Sequence, residues 1–334
     1  MIYNDINFNQ KTILITGGAG FIGSNLAFYF QENYPDSHVV VFDCFRSEAT
    51  FTNGNLQSFG HYKNLIGFTG DVICGNINNK ADLALLDDYK FDYMFHQAAI
   101  SDTRVYDQEI VMQTNVNSFY DLLNKAKDDD AVMVYASSAA TYGSLPSPQT
   151  VGTENPENPY GFSKYMMDQI AYRYSRENPN MTIVGLKFFN VYGPREYYKA
   201  KTSSMVIQLG HQILSGNAPK LFEGSDQILR DFINIEDVVQ ANIKACNPKQ
   251  NGTYNVGTST PRSFQDIADI LQTELGTDLG TNYITNPYDG YQMHTQADIS
   301  TSQTNLGFKP VVSLEAGIKA YIADIKRLHG TDIS

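Results

Sequence analysis

The stretch from Thr12 to Leu26 constrains the fold more than any other part of the chain. It opens with a short apolar run, Thr12–Thr16, whose β-branched residues predict a buried strand. Gly17, Gly20 and Gly23 follow, and a helical pattern begins at Phe21. A strand, a glycine turn and a helix start let the backbone approach a pyrophosphate, which binds at the N–H groups of the helix N-terminus. Glycines alone are weak evidence, because an ordinary strand–helix turn also contains them.

The next apolar run strengthens this interpretation, because it ends in an acid. Val39–Phe42 reads as a second strand and is followed by Asp43, placed to accept a hydrogen bond from a cofactor ribose hydroxyl. Together the two strand ends predict a dinucleotide site. A carboxylate at this position ordinarily favours NAD, since it repels the 2′-phosphate of NADP. Arg46 can neutralise that phosphate, so these residues leave NADP and NAD both open.

Apolar runs and helical patterns alternate through the first half of the chain. Alternation of this kind predicts an α/β fold, a Rossmann-type doubly wound parallel sheet. The predicted strands are Thr12–Thr16, Val39–Phe42, Asn64–Phe68, Tyr93–His96, Val132–Ala136 and Thr182–Phe188. The predicted helices are Phe21–Gln31, Lys80–Asp88, Met112–Lys127 and one that starts near Tyr160.

The pattern loosens after Val191, which predicts a smaller C-terminal α/β lobe for substrate. We therefore expect a dinucleotide-binding domain over 1–190, with later segments returning to it, and a substrate lobe mainly over 191–334. Ser263 and Asp266 fit a capping box. Helices are predicted at Ser204–Ser215, Ile235–Cys246, Ser263–Leu275 and Ser313–His329, and strands at Arg230–Asn234, Tyr254–Val256 and Asn282–Thr285. Ligands of such folds bind beyond the carboxyl ends of the strands.

The composition restricts the cellular compartment and the binding partners that can be expected. The 334 residues carry a formal net charge of −12, which repels a polyanion, so we expect no nucleic-acid partner. Cys44, Cys74 and Cys246 form no Cys-x-x-Cys pair, so neither a disulfide framework nor a metal site is predicted. No apolar run is long enough for a membrane span, and the N-terminus lacks a signal-peptide core. These features favour the reducing cytoplasm and no membrane association.

A second motif carries the chemistry. Tyr160 and Lys164 are four residues apart and therefore share one face of a helix. An ammonium beside a phenol favours the phenolate, which can exchange a proton with a substrate hydroxyl. Ser137 and Ser138 follow the fifth strand, where a hydroxyl can hold the substrate oxygen. The alternatives are a surface helix pair and two serines that satisfy a strand-end turn.

The glycine turn, the strand-end serine and the Tyr-x-x-x-Lys motif together resemble the extended short-chain dehydrogenase/reductase superfamily of nucleotide-sugar enzymes. The motif Phe189–Glu196 is typical of its nucleotide-sugar members generally. Finer motifs resemble its ADP-L-glycero-D-manno-heptose 6-epimerase family: Ser137–Tyr142, Pro219–Ser225, Arg230–Phe232 and Tyr291–Asp298. The resemblance covers nearly the whole chain. It implies inversion of C6 of an ADP-heptose for the lipopolysaccharide inner core, by transient oxidation with tightly bound NADP. It also implies a homo-oligomer such as a pentamer.

The resemblance implies roles for individual residues. Catalysis falls to Ser138, Tyr160, Lys164 and Lys199. The cofactor contacts fall on Gly17, Gly20, Phe21, Ile22, Gly23, Asp43, Cys44, Arg46, Asn76, Ile77, Gln97, Ala98, Ala99, Ser101, Thr114, Asn115, Tyr160, Lys164, Val191 and Lys199. The substrate contacts fall on Ser138, Asn190, Ser204, His211, Phe222, Glu223, Gly224, Ser225, Arg230 and Tyr291. Structural interpretations stay open: His211 as a packed histidine, Arg230 paired with an acid, Tyr291 in the core.

The chain departs from the family pattern in two places. Asn76-Ile77 stands where relatives commonly have Asp-Ile against adenine, and the amide oxygen can still accept from the adenine amino group. The loop after Arg195 is longer by a few residues. Counting from Arg195 assigns the family's loop lysine to Lys199, whereas counting back from the following Met assigns it to Lys201. We prefer Lys199; the alternative for either is a solvated loop lysine.

Other functions remain open at this point. The nearest alternative is a nucleotide-sugar epimerase that acts at C4 of a UDP-sugar. A 4,6-dehydratase fits less well, because the chain reads Ser138-Ala-Ala where that class has Thr-Asp-Glu. A non-catalytic dinucleotide-binding protein fits less well still, because such a protein would often lack the serine, tyrosine or lysine.

Overall fold

The computed structural model describes residues 2–3, 6–287 and 292–331. The strands are, in chain order, β1 (Thr12–Thr16), β2 (His38–Asp43), β3 (Asp71–Cys74), β4 (Tyr93–His96), β5 (Val132–Ser138), β6 (Ile183–Phe188), β7 (Asn190–Tyr192), β8 (Lys220–Phe222), β9 (Leu229–Arg230), β10 (Phe232–Asn234), β11 (Gly252–Val256), β12 (Arg262–Ser263) and β13 (Asn282–Ile284). The helices are α1 (Phe21–Asn33), α2 (Lys80–Leu83), α3 (Gln108–Met112), α4 (Ser118–Asp129), α5 (Pro159–Glu177), α6 (Met205–Leu214), α7 (Ile235–Lys244), α8 (Phe264–Leu275), α9 (Ser300–Leu306) and α10 (Leu314–Leu328).

Seven parallel strands form the central sheet, in the order β11-β6-β5-β4-β1-β2-β3. The predicted α/β doubly wound fold is confirmed. The strand order reverses between β1 and β4, and ligands of such sheets bind beyond the carboxyl ends of the strands at this point. The side chains of β1 and β2 are almost all buried, as expected for a sheet covered on both faces.

The predicted strand at Asn64–Phe68 is wrong. This segment instead holds a short 3₁₀ helix, Tyr62–Leu65, and the His61 side chain caps it by accepting from the Lys63 N–H. The strand itself is β3, whose side chains are mostly exposed because it lies at the edge of the sheet. An edge strand of this kind lacks the apolar run on which the prediction depended.

Two predicted helices differ in form from expectation. The helix predicted at Met112–Lys127 is the middle of a longer run, in which a π-helical turn, Gln113–Asn117, joins α3 to α4. The helix predicted at Lys80–Asp88 is one α-helical turn followed by the 3₁₀ turn Ala84–Leu86. By contrast, the capping box of Ser263 and Asp266 is confirmed at the start of α8.

The later part of the chain contributes to two structures. β11 pairs with β6 and so returns to the central sheet. Helices α6, α8 and α10 pack on one another around a separate apolar core that includes Ile207, Leu271 and Ile325. Three two-stranded pairs form in addition: β10 with β7, β12 with β9 and β13 with β8. Within the ranges described, none of the helices has both the length and the hydropathy of a membrane span.

Candidate active site

A cleft of about 580 Å³ opens at the carboxyl ends of the central strands. The ends of β1, β2, β4 and β5 line one side, and Arg230 and Phe264 contribute from the later part of the chain. Most of the predicted site residues meet here: Gly17, Gly20, Phe21, Ile22, Gly23, Asp43, Cys44, Asn76, Ile77, Gln97, Ala98, Ala99, Ser101, Thr114, Ser138, Tyr160, Lys164, Asn190, Val191, Lys199, Ser204 and Arg230. One cleft therefore joins residues as far apart in sequence as Gly17 and Phe264.

The glycine turn brings backbone groups close together at one end of the cleft. Gly17 has a φ of +69°, and a Cβ built on it would lie 2.6 Å from the Ala98 nitrogen. A Cβ on Gly23 would collide with the Gly17 carbonyl oxygen. Helix α1 begins after Gly20, with neither a side-chain cap nor an acidic residue in its first turn. Its N-terminal N–H groups therefore suit an anion such as a pyrophosphate.

Asp43 makes hydrogen bonds to backbone at the edge of this turn. Its carboxylate accepts from the Ala19 N–H at 3.0 Å and from the Phe45 N–H at 2.8 Å. Burial raises its pKa, and these hydrogen bonds oppose that rise. Arg46 donates to the carbonyl oxygen of Tyr198 and is not among the residues that line the cleft. Of the predicted cofactor pair, Asp43 lines the cleft and Arg46 does not.

Ser138, Tyr160 and Lys164 come together where β5 meets α5. A hydrogen bond links the Ser138 and Tyr160 side chains. Lys164 donates to the Ala136 carbonyl oxygen at 2.7 Å, and its Nζ lies 6.0 Å from the Tyr160 ring centroid. This arrangement agrees with the predicted shared helix face.

The electrostatics of this trio differ from the simple expectation of a lysine-stabilised phenolate. Burial raises the pKa of Tyr160, and the Ser138 hydrogen bond only partly opposes it. Burial also lowers the pKa of Lys164 to about 8, against the attraction of Asp168. In the chain by itself Tyr160 is therefore a phenol at neutral pH. The expected low phenol pKa thus requires charge that the chain itself does not supply.

Lys199 and Lys201 occupy different environments. Lys199 lines the cleft, with its Nζ 5.7 Å from the ring centroid of Phe21. Burial lowers the pKa of Lys199, and the nearby Glu196 opposes that effect. Lys201 is exposed and is not among the lining residues. Of the two lysines that sequence counting left open, the structure brings Lys199 to the cleft.

Asn115 does not line the cleft but connects two segments next to it by hydrogen bonds. Its side-chain oxygen accepts from the Ile100 N–H at 2.8 Å, and its amide donates to the Ile100 carbonyl and the Ser163 hydroxyl at 2.9 Å each. Asn115 is fully buried on the π-helical turn. It therefore ties the segment after β4 to α5.

The predicted substrate residues divide into two groups. Asn190, Ser204 and Arg230 line the cleft together with Ser138. Arg230 donates to the carbonyl oxygens of Leu229 and Gln292, and its guanidinium lies 5.6 Å from the Phe264 ring centroid.

The second group does not reach the cleft. The Nε2 of His211 lies 3.1 Å from the Ile325 carbonyl oxygen, and its ring packs against Tyr197 and His329, so it fits the packed interpretation. The end of β8 and the turn after it hold the others outside the lining, namely Phe222, Glu223, Gly224 and Ser225. Tyr291 lies outside the described residues.

Several residues that line the cleft carry no recognisable signal in the sequence. The irregular segment between β2 and β3 contributes Phe51, Gln57, Ser58, Phe59 and Gly60, and no periodic pattern marked it. Asp102 and Thr103 follow the predicted run after β4, and Phe232 and Phe264 come from the later part of the chain. Ser137, the other strand-end serine, also lines the cleft.

Comparison with known proteins identifies the family. The model of the NAD dependent epimerase/dehydratase family matches residues 13–257. The chain belongs to this family. Membership of an NAD-dependent family indicates that the cofactor of this chain is a nicotinamide dinucleotide.

Individual relatives confirm the finer resemblance. A curated ADP-L-glycero-D-manno-heptose-6-epimerase of Brachyspira hyodysenteriae is 34% identical over 325 residues, which are 95% of this chain and 99% of that one. The crystal structure of the Helicobacter pylori ADP-L-glycero-D-manno-heptose-6-epimerase superposes with a TM-score of 0.90 at 50% identity, covering 98% of this chain and 99% of that one. A Bacillus cereus UDP-glucuronic acid 4-epimerase in complex with UDP-glucuronic acid and NAD has a TM-score of 0.79 at 28% identity, covering 95% and 99%.

Proposed function

We propose that this chain is an isomerase that converts ADP-D-glycero-D-manno-heptose to ADP-L-glycero-D-manno-heptose, a precursor of the lipopolysaccharide inner core. The observation that carries the proposal is the likeness to the Helicobacter pylori 6-epimerase, at 50% identity over nearly both whole chains. The cleft supplies what such a reaction needs, because Ser138, Tyr160, Lys164 and Lys199 all line it.

The residues of the cleft have distinct tasks in this reaction. When bound, the nicotinamide dinucleotide supplies a hydride acceptor that returns the same hydride, so there is no net redox change. Ser138 holds the C6 oxygen beside Tyr160, and Tyr160 exchanges the hydroxyl proton. Lys199 exchanges the proton when the other face of C6 is presented. Because C6 is exocyclic, rotation about one bond presents that face while the rest of the sugar stays bound.

The cleft also offers groups for the nucleotide diphosphate. Arg230 lies at its wall with a planar guanidinium, which can bind two phosphate oxygens at once. Asn190 and Ser204 add polar groups beside it. We propose these three as substrate contacts. The roles predicted for His211, Tyr291 and the Phe222–Ser225 turn remain predictions.

The substrate is tested by turnover of ADP-D-glycero-D-manno-heptose, UDP-galactose and UDP-glucose by the purified protein. We expect conversion of the ADP-heptose alone, with the C6 hydrogen retained in heavy water because the hydride returns from the same cofactor. Interconversion of the two UDP-sugars without turnover of the ADP-heptose would instead support the C4-epimerase alternative. No turnover of any of them would support a non-catalytic dinucleotide-binding protein.

We infer that the tightly held cofactor is NADP, with NAD as the alternative. Asp43 already accepts two backbone N–H groups, so its carboxylate is satisfied without a ribose hydroxyl. Arg46 follows three residues later and carries the charge that a 2′-phosphate requires. We expect mass spectrometry of the dinucleotide released by denaturation to show NADP. Release of NAD alone, with no gain in affinity from the 2′-phosphate, contradicts this inference.

The oligomeric state, the cellular compartment and the domain division are further proposals. We propose a homo-oligomer, with a pentamer as the expected form, because the resemblance implies one. Cys44 and Cys74 are exposed free thiols and Cys246 is a buried one, which suits the reducing cytoplasm. The division into a dinucleotide domain over 1–190 and a substrate lobe over 191–334 also remains a prediction.

A further inference from the structure

A buried carboxylate continues the catalytic face of α5. Tyr160, Lys164 and Asp168 are spaced by four residues, so they lie one above another on the side of the helix that packs against the sheet. Asp168 is only 7% exposed. A carboxylate this deep is costly unless it is paired and hydrogen-bonded, so its partners explain why it is there.

Asp168 is held by three side chains from the strands next to the cleft. Its Oδ1 accepts from the Tyr135 hydroxyl at 2.9 Å. Its Oδ2 accepts from the Ser137 hydroxyl at 2.9 Å and from the Lys187 ammonium at 2.5 Å. Ser137 lines the cleft and directly precedes Ser138. The carboxylate therefore fixes the end of β5 against α5, immediately behind the catalytic serine.

Lys187 does not fully neutralise the charge of Asp168, because Lys187 also pairs with a second carboxylate, that of Glu154. The Lys187 ammonium is fully buried and lies 3.1 Å from a Glu154 carboxylate oxygen and 3.0 Å from the Thr141 hydroxyl. Two carboxylates thus surround one ammonium. The negative charge left over is balanced when Lys164, on the same helix face, is also charged.

The groups around Lys164 also favour its charged form. On α5 its Nζ lies near the Tyr160 ring and 3.7 Å from the Met167 sulfur, and Asp168 follows one helical turn later. From β5 it contacts the Ala136 carbonyl oxygen. From β4 it faces His96, whose pKa burial lowers to about 3, so that this imidazole is neutral. Among the described residues, Asp168 pairs with Lys187 of β6, which in turn pairs with Glu154 from the segment before α5.

We propose that Asp168 is a positioning residue for the reaction: its carboxylate keeps Lys164 in the ammonium form beside Tyr160, and it holds Ser137 so that Ser138 faces the tyrosine. This proposal rests on the proposed function for its kinetic test. The attraction of Asp168 raises the pKa of Lys164 against the larger effect of burial, as expected for an opposite charge in a poorly solvated site.

The test is the dependence of kcat on pH for ADP-heptose epimerisation by Asp168→Asn. Asparagine keeps the size of the side chain and can still accept from Tyr135 or Ser137, but it removes the charge. The pKa of Lys164 then falls, and the ammonium is lost at lower pH. We expect the alkaline limb of the profile to move to lower pH by about one unit, which is within the range that one nearby charge causes.

Tyr135→Phe is the matched control, because it removes one hydrogen bond to Asp168 but leaves the carboxylate charged. We expect its alkaline limb to stay at the wild-type pH. Should Asp168→Asn fail to fold because Lys187 loses its closest partner, the triple variant Asp168→Asn/Glu154→Gln/Lys187→Met leaves no unpaired charge in this cluster. It removes the same net negative charge as Asp168→Asn and should show the same downward shift. An alkaline limb that stays in place in a folded variant lacking Asp168, with only thermal stability reduced, overturns the proposal.

A second measurement needs no turnover and so separates this proposal from the proposed function. Lysine labelled with ¹³C at Cε is incorporated, and the Lys164 signal is identified by its loss in Lys164→Arg. Its titration is then followed by NMR in the purified wild type and in Asp168→Asn. A lower midpoint in the variant supports the role of Asp168 even if the ADP-heptose is not the substrate. Equal midpoints contradict it even if the epimerase activity is confirmed.

Discussion

Replacing Tyr160 with phenylalanine lowers kcat for ADP-heptose epimerisation by about a hundred- to ten-thousand-fold, the usual cost of losing a positioned acid–base group. The phenol is the group that exchanges the C6 hydroxyl proton in the proposed reaction. It is hydrogen-bonded to Ser138 and lies in the cleft beside Lys164. Phenylalanine keeps the ring and its packing, so the protein should fold and retain its dinucleotide.

Tyr165→Phe is the matched control for this experiment. Tyr165 lies on the same helix, one residue beyond Lys164, is half-buried and does not line the cleft. Its variant should turn over at close to the wild-type rate. Thermal melting and the amount of released dinucleotide establish that both variants are folded and loaded. Near-normal turnover by a folded Tyr160→Phe enzyme would show that the acid–base assignment is wrong.

The dinucleotide half of the fold could be predicted because its signals are local. The bounds of β1 and β4 agree with the prediction residue for residue, since short buried strands of a parallel sheet are continuous apolar runs. Asp43 also falls at the end of β2 as expected. The orientation of the Asp43 carboxylate could not be predicted from the sequence. It depends on hydrogen bonds from the Ala19 and Phe45 N–H groups, which belong to two separate turns.

The parts that were missed depend on contacts between distant segments. Phe51 lines the cleft from an irregular loop and packs against Ile100 and Val105. The loop sequence has no periodic pattern from which this contact could be predicted. His211 carries a family match, yet its position is decided by the packing of α6 on α10, more than a hundred residues later. Edge strand β3 was misplaced because exposed side chains carry no apolar pattern.

A second acid–base group is required if the hydride leaves and returns on opposite faces of C6. One tyrosine easily reaches only one of the two hydroxyl positions while the rest of the sugar stays bound. Lys199 lines the cleft near Phe21, and burial lowers its pKa, which makes the neutral amine more accessible near neutral pH. Its loop is tied at both ends by the fully buried Glu196, which accepts from the Gly193 and Ser204 N–H groups.

Lys199→Met should therefore abolish interconversion of the two ADP-heptose epimers while leaving nucleotide binding largely intact, because methionine keeps the length of the stem and removes the amine. Lys201→Met is the matched control: this lysine lies in the same loop but is exposed and outside the cleft lining, so its loss should have far less effect. Epimer interconversion is measured by chromatographic separation of the two sugars, and binding by calorimetry with ADP. Normal interconversion by Lys199→Met contradicts the two-base mechanism, and a severe defect in Lys201→Met with a mild one in Lys199→Met moves the role two residues along the loop.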